Sequence, residues 1–251
     1  MNVRKKTTRQ KVIVTGMFLL GLGLLLAAFL WFQGIFIPNE FRADPYPVKG
    51  VDVSAYQGEI DWLKLEKQGL AFAFIKATEG SGFVDKMFKK NWEAADETTL
   101  RTGAYHFFSY DSKGETQAQN FINNVPVREQ SLPPVIDVEF YGDKEKNPPS
   151  RDQAEEELQT MVNMLEDRYG KRVIIYTTNK AYDLYIENSF DQCDIWIRDV
   201  FTSPSLPDKR EWSFWQYTDR KKLVGYSGKE KFIDVNVFYG SEQEFNVYGD
   251  G

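Results

Sequence analysis

Among 251 residues the chain has a single cysteine, Cys193, and a single histidine, His106. One thiol excludes an intrachain disulfide, so the fold must rest on its apolar core. One imidazole and one thiol without ligand-like spacing argue against a zinc centre, and no metal or cofactor is expected. Positive charge is also short, with 31 Lys and Arg against 37 Asp and Glu and a net charge of −6. No basic patch with interleaved aromatics is present, so nucleic acid is not an expected partner. Internal repeats and low-complexity runs are absent, and nothing in the sequence points to an oligomer, so a monomer is expected.

One stretch lacks charge altogether. From Val12 to Asn39 there is no ionisable side chain, and 17–32 is densely apolar. A signal-peptide core needs about 7–15 apolar residues and a membrane span about 20. The run meets the longer requirement. Ala27-Ala28 lies inside it and is followed by Phe29, Leu30 and Trp31, so no small-x-small cleavage site closes it. Residues 1–11 form a head with Arg4, Lys5, Lys6, Arg9 and Lys11 and no acid. The positive-inside rule keeps such a head cytoplasmic. The expectation is an uncleaved single-pass signal-anchor over 12–38 in the cell membrane, with everything after it extracytoplasmic. A long cleaved signal peptide is the competing reading, and it too exports the rest. Residues 39–47, with Pro45 and Pro47, read as a short stiff spacer. Without the head, 26 basic residues face 37 acidic ones, so the exported part is strongly acidic at −11.

What is present after the spacer is alternation. Apolar runs at 48–53, 71–77, 103–108, 134–139, 172–177, 194–198, 213–217 and 232–238 read as eight strands. Amphipathic stretches at 62–68, 86–98, 115–123, 150–169 and 180–188 separate the first six. In the longest, Ser150 and Gln153 suggest a capping box and Gly170 a C-terminal stop. Its Ala154, Leu158, Met161, Val162, Leu165 and Tyr169 repeat at three and four, giving one buried face. Strand–helix alternation argues a parallel sheet, and eight strands argue closure. The expected fold class is α/β, an irregular (β/α)5β3 barrel over 48–245 whose last strands lack helices.

Chemistry in such barrels collects at the C-terminal ends of the strands. Asp137 and Glu139 stand there, one residue apart after Pro134-Val135-Ile136. Side chains i and i+2 of a strand share a face, so the two carboxylates should enter one cavity, with their Cβ atoms about 6.5–7 Å apart. Two close carboxylates cannot both ionise freely, and one then holds the proton that glycoside hydrolysis requires. Asp52, flanked by Val51 and Val53, is an acid on a buried strand. Asp234 has the same character, but it lies near the start of its strand and fits less neatly. The first and eighth strands are neighbours in a closed barrel, so Asp52 and Asp234 should meet. Tyr176, Trp196, Trp215 and Tyr217 could line a sugar-binding groove, and each could equally pack in the core. His106 reads as a structural or substrate-contacting histidine rather than a base. Lys76 and Glu79 read as a local ion pair.

Several motifs in one order resemble the glycoside hydrolase family 25 lysozymes. They are Gly50-Val51-Asp52-Val53-Ser54-Ala55-Tyr56-Gln57-Gly58 with Ile60-Asp61-Trp62, Phe74-Ile75-Lys76-Ala77-Thr78-Glu79-Gly80, Gly103-Ala104-Tyr105-His106-Phe107-Phe108, Asp137-Val138-Glu139, Ile175-Tyr176-Thr177, Trp215-Gln216-Tyr217 and Asp234-Val235-Asn236. The resemblance runs from about Val48 to Gly240. It implies a (β/α)5β3 barrel that hydrolyses the β-1,4 bond between N-acetylmuramic acid and N-acetylglucosamine of peptidoglycan glycan strands. It further implies Glu139 as general acid, with Asp137, Asp52 and Asp234 in the same site and Asp137 assisting the substrate's acetamido group. One departure is visible. After Trp196-Ile197 the family has a small residue and an aromatic, whereas Arg198-Asp199-Val200-Phe201 stands here. The alternative expectation is a non-catalytic glycan-binding or scaffold protein on the same fold.

Overall fold

The computed structural model describes residues 2–250, with side chains from residue 7 onward. The side chains of Arg4, Lys5 and Lys6 of the expected basic head lie outside the described residues. Helix α1 (Asn2–Phe32) contains a candidate membrane span, Thr7–Phe32, of 26 residues with none of its most apolar part buried. At 1.5 Å per residue it is about 39 Å long, enough by length and composition to cross a bilayer. A short helix α2 (Glu40–Ala43) follows.

Eight strands then close into a barrel. They are β1 (Lys49–Val53), β2 (Phe72–Glu79), β4 (Arg101–Phe107), β5 (Val135–Val138), β6 (Ile174–Thr178), β7 (Asp194–Arg198), β8 (Phe214–Lys221) and β9 (Ile233–Phe238); β3 (Phe83–Val84) only pairs back on β2 outside the closure. Parallel pairing runs from β1 through β8. Strand β9 closes the ring antiparallel to both β8 and β1.

Helices α3 (Trp62–Glu66), α4 (Phe88–Ala95), α5 (Gly114–Asn124) and α6 (Arg151–Tyr169) cover the early crossovers. The fifth crossover is helix α7 (Asn179–Ala181) continued by a π-turn over Tyr182–Ile186. No helix separates β7, β8 and β9, and α8 (Glu242–Asn246) ends the chain's regular structure. Helix α6 buries Ala154, Leu158, Met161, Val162 and Leu165 as the periodicity predicts, and it stops at Gly170 in the left-handed conformation (φ 64°). The predicted capping box does not form. The Ser150 side chain makes no capping bond, and its carbonyl instead accepts from the Ala154 amide.

Alternation sorts the strand residues into two layers. Outward residues such as Val51, Ile75, Ile136, Ile175 and Ile197 pack under the helices. Inward residues Phe72, Phe74, Val135, Ile174, Trp196, Phe214 and Phe238 fill the barrel. Gly50 and Gly103 make this possible, because a Cβ on either would overlap the Phe72 or Phe74 ring. The aromatic plug leaves the upper end of the barrel, where β1 to β8 finish, for polar side chains.

Candidate active site

The antiparallel direction of β9 explains Asp234. Its N-terminal end lies at the same mouth as the C-terminal ends of the parallel strands. Asp52 and Asp234 are consequently direct cross-strand partners. Asp52 accepts hydrogen bonds at Oδ1 from Asn236 Nδ2 (2.7 Å) and Gln216 Nε2 (3.0 Å). Amide donors favour the anion, so Asp52 is the ionised member and Asp234 the member that keeps a proton and donates it to Asp52. Burial pushes both carboxyls up, and the neighbouring Asp52 charge drives Asp234 well above the usual carboxylate range.

Asp137 occupies the inward register of β5, and Glu139, expected as the last residue of the strand, lies just past its observed end at Val138. Asp137 is buried, and its Oδ1 has no hydrogen-bond partner. Burial holds its pKa well above the usual range, with repulsion from Glu139 next in size. Glu139 is less enclosed. Burial raises it, Arg198 and Lys76 pull it down, and Asp52 pushes it up. Both acids of the pair therefore bind protons more firmly than free carboxyls, Asp137 the more so.

Asp52, Asp137, Glu139, Asp234, Tyr176 and Trp196, with Tyr105, line a chamber of about 100 Å³. It opens into a cleft of about 460 Å³ bordered by Tyr56, Lys76, Phe107, Tyr141, Asp219 and Phe232 among others. Tyr176 donates to Gln216 Oε1 (3.0 Å), and Trp196 Nε1 donates to Asn236 Oδ1 (2.8 Å). Trp196 also stacks on Phe74 at 4.6 Å, so it is a floor of the chamber. A hollow of about 730 Å³ lies at the opposite end, where Arg101 and Thr102 begin β4, and it holds none of these acids.

Three expected substrate contacts are not brought to the cleft. Trp215 and Tyr217 alternate with Phe214 and Gln216 on β8 and point outward, 1% exposed, into the layer under the helices. Trp215 Nε1 is already engaged with the Asp199 carbonyl at 2.8 Å. His106 is fully buried on the outer face of β4, bonded to Thr78 Oγ1 (2.7 Å) and Gln117 Oε1 (3.1 Å). Burial lowers its pKa to about 4, so it is a neutral structural residue. The residues that sequence reasoning passed over are Tyr105, Gln216 and Asn236. Tyr105 and Gln216 adjoin His106 and the Trp215/Tyr217 pair, and the parity of the strand decides between neighbours; Asn236 shares its face with Asp234 two residues before it.

The departure at Arg198 reaches the site. Its guanidinium bonds Asp219 Oδ2 at 2.8 Å, with about a third of each side chain exposed. It is the largest charge acting to lower Glu139. Removing it raises the Glu139 pKa, and Asp219, freed of its partner, adds negative charge in the same direction. An acid that must be protonated then works to higher pH. Arg198→Ala is expected to move the alkaline limb of kcat/KM upward, measured on soluble peptidoglycan fragments. A limb that stays or moves down would remove Arg198 from the electrostatics of the acid. No group of three or more His, Cys, Asp or Glu among the described residues is arranged to hold a metal ion.

A model of the family described as glycosyl hydrolases family 25 matches residues 51–226. The chain is 32% identical over 215 residues to the lysozyme M1 of Streptomyces globisporus, covering 79% of this chain and 70% of that protein. A family 25 glycosyl hydrolase structure from Bacillus anthracis is 65% identical, with a TM-score of 0.79 over 82% of this chain and 95% of that one. The bacterial lysozyme structure from Streptomyces coelicolor is 29% identical, with a TM-score of 0.73 over 81% of this chain and 97% of that one.

Proposed function

We propose, from the premise that this chain belongs to glycosyl hydrolase family 25 and is a muramidase, that it cleaves the β-1,4 bond after N-acetylmuramic acid while held to the cell membrane by its N-terminal helix. The observation that carries the chemistry is the orphaned, buried Oδ1 of Asp137 beside Glu139. A buried acceptor without a donor costs free energy, and a ligand N–H can supply what is missing. The acetamido N–H of the bound sugar is such a donor.

The reaction then has two halves. Glu139 gives its proton to the leaving glycosidic oxygen. The acetamido carbonyl oxygen attacks C1 and forms a cyclic oxazolinium, whose positive charge Asp137 balances through the N–H. Glu139, now ionised, takes a proton from water as that water opens the ring at C1, and the configuration at C1 is retained. Asp52 and Asp234 add fixed charge and a proton beside the sugar, and Tyr105 and Tyr176 wall the chamber.

Proton placement follows from the same contacts. In the free protein Asp137, the more deeply buried acid, keeps its proton the more firmly. A bound N–H favours the Asp137 anion, and that anion raises Glu139. Substrate binding thereby shifts the proton to the residue that must donate it.

Membrane attachment draws on the 26-residue span Thr7–Phe32 of the first helix, whose most apolar part is unburied, and on the basic residues at and before its start. It puts the barrel on the extracytoplasmic side, where peptidoglycan lies. The test is product analysis: purified peptidoglycan digested by the full chain, the new ends reduced and hydrolysed. Reduced muramic acid is expected. Reduced glucosamine would move the cut to the other bond, and no new ends from several walls would leave a glycan-binding role.

A further inference from the structure

The segment after the membrane helix runs along the barrel wall. Asn39, fully buried, donates from Nδ2 to the carbonyls of Asp199 (2.9 Å) and Thr202 (3.2 Å), just past the end of β7. Tyr46 packs on Trp212 (5.3 Å) and Tyr239 (5.9 Å), at the other end of the barrel. The strap therefore descends from mouth to base, and the helix meets the barrel at the mouth. Fully extended, residues 33–48 would span about 55 Å and let the barrel stand well away from its anchor. Docked, they cannot.

A junction fixes the helix end. Arg220, near the end of β8, donates to the Phe32 carbonyl (3.1 Å) and lies over the rings of Trp31 (4.4 Å), Phe32 (5.2 Å) and Phe232 (5.3 Å). Trp31 also meets Phe201 at 5.6 Å, and Lys231 reaches Gln33 at 3.2 Å. Gly34, at φ 65°, turns so close to the Arg220 carbonyl and the Phe232 ring that a Cβ would overlap both. Phe232 is itself on the border of the cleft. The helix thus ends against the rim of the active site.

The rim has the composition of a lipid–water boundary. Ile35, Phe36 and Phe41 stay 67%, 48% and 69% exposed beside the helix exit. In an otherwise acidic domain, Arg220, Lys222 and Lys231 all stand over the Phe232 ring, Arg42 lies over Phe41, and Lys221 pairs with Glu40 at 2.7 Å. Exposed aromatics and bases at a helix end suit the headgroup layer and its anionic lipids.

We infer that the mouth end of the barrel is a membrane-facing surface, seated on a phospholipid bilayer by the Trp31–Arg220–Phe232 junction, so that the cleft receives glycan lying next to the bilayer. This rests on the reading that the first helix stays in the membrane.

The full chain in nanodiscs of phosphatidylglycerol and phosphatidylethanolamine tests it. Cys193 is buried, with its thiol pushed up to about 12 by burial, so an introduced exposed cysteine takes a fluorophore selectively. Lys229→Cys reports the mouth and Gln130→Cys the base, with acceptor dyes on the lipid headgroups. Transfer is expected to be higher from the mouth. The difference is expected to be lost when Arg220→Ala and Lys231→Ala are combined, with unchanged near-ultraviolet circular dichroism. Equal transfer from both sites, or higher transfer from the base, would overturn the placement. A difference that survives the double substitution would overturn the junction as its cause. Loss of residues before Asn39 from the protein isolated from expressing cells would instead overturn the anchored reading, and the surface with it.

Discussion

Glu139→Gln is expected to lower kcat on peptidoglycan by roughly 10²- to 10⁴-fold, the usual range for loss of a positioned acid–base group. That is about 3–5.5 kcal/mol of transition-state stabilisation. Among the described residues no side chain or backbone group bonds the Glu139 carboxyl, so an isosteric amide leaves the fold intact. KM should change little, because the proton is transferred only as the bond breaks. Reducing-end release at saturating substrate, beside a thermal unfolding curve, measures both. A loss of less than ten-fold in a folded variant would take the acid role away from Glu139.

The same substitution tests how the two acids share charge. Repulsion from Glu139 is the second cause of the high Asp137 pKa. With a neutral amide at 139 that repulsion is gone, and Asp137 must ionise at lower pH. Burial remains, so Asp137 does not return to the ordinary range.

Much of this site was legible because it depends on alternation. Asp137 and Glu139 enter one cavity, and Asp52 and Asp234 meet across neighbouring strands, as spacing and closure require. Strand direction was not legible. A strand buried on both faces has the same residue pattern whether it runs parallel or antiparallel. Asp234 therefore looked misplaced until β9 was seen to run backwards. The same double burial hid parity. Trp215, Gln216 and Tyr217 offer apolar and polar groups in turn, and nothing local says which face looks inward. The bulky rings fill the space under the helices, and the amide holds Asp52. Tyr105 and His106 exchange roles for the same reason. The docked strap was beyond sequence reasoning as well, because Pro45 and Pro47 describe stiffness but not where the segment packs.

Asp137 carries the second large effect. Asp137→Asn keeps the size of the side chain and an oxygen able to accept the acetamido N–H, but it cannot balance a positive oxazolinium. Its kcat should fall by roughly 10²- to 10³-fold, the cost of one preorganised electrostatic contact, and Asp137→Ala should fall further. The pH profile distinguishes this role from simple packing. In the free protein Asp137 holds its proton more firmly than Glu139, so it is neutral while Glu139 titrates and a neutral amide in its place leaves that titration unchanged. The alkaline limb of kcat/KM, which reports the free enzyme, should therefore stay where it is in Asp137→Asn. In the complex, the wild-type Asp137 anion holds Glu139 up, and the amide cannot. The alkaline limb of kcat alone should then move to lower pH. If both limbs remain fixed while kcat drops, Asp137 serves only to shape the chamber. If both move together, the proton is shared before substrate arrives, and the substrate-triggered transfer to Glu139 is wrong.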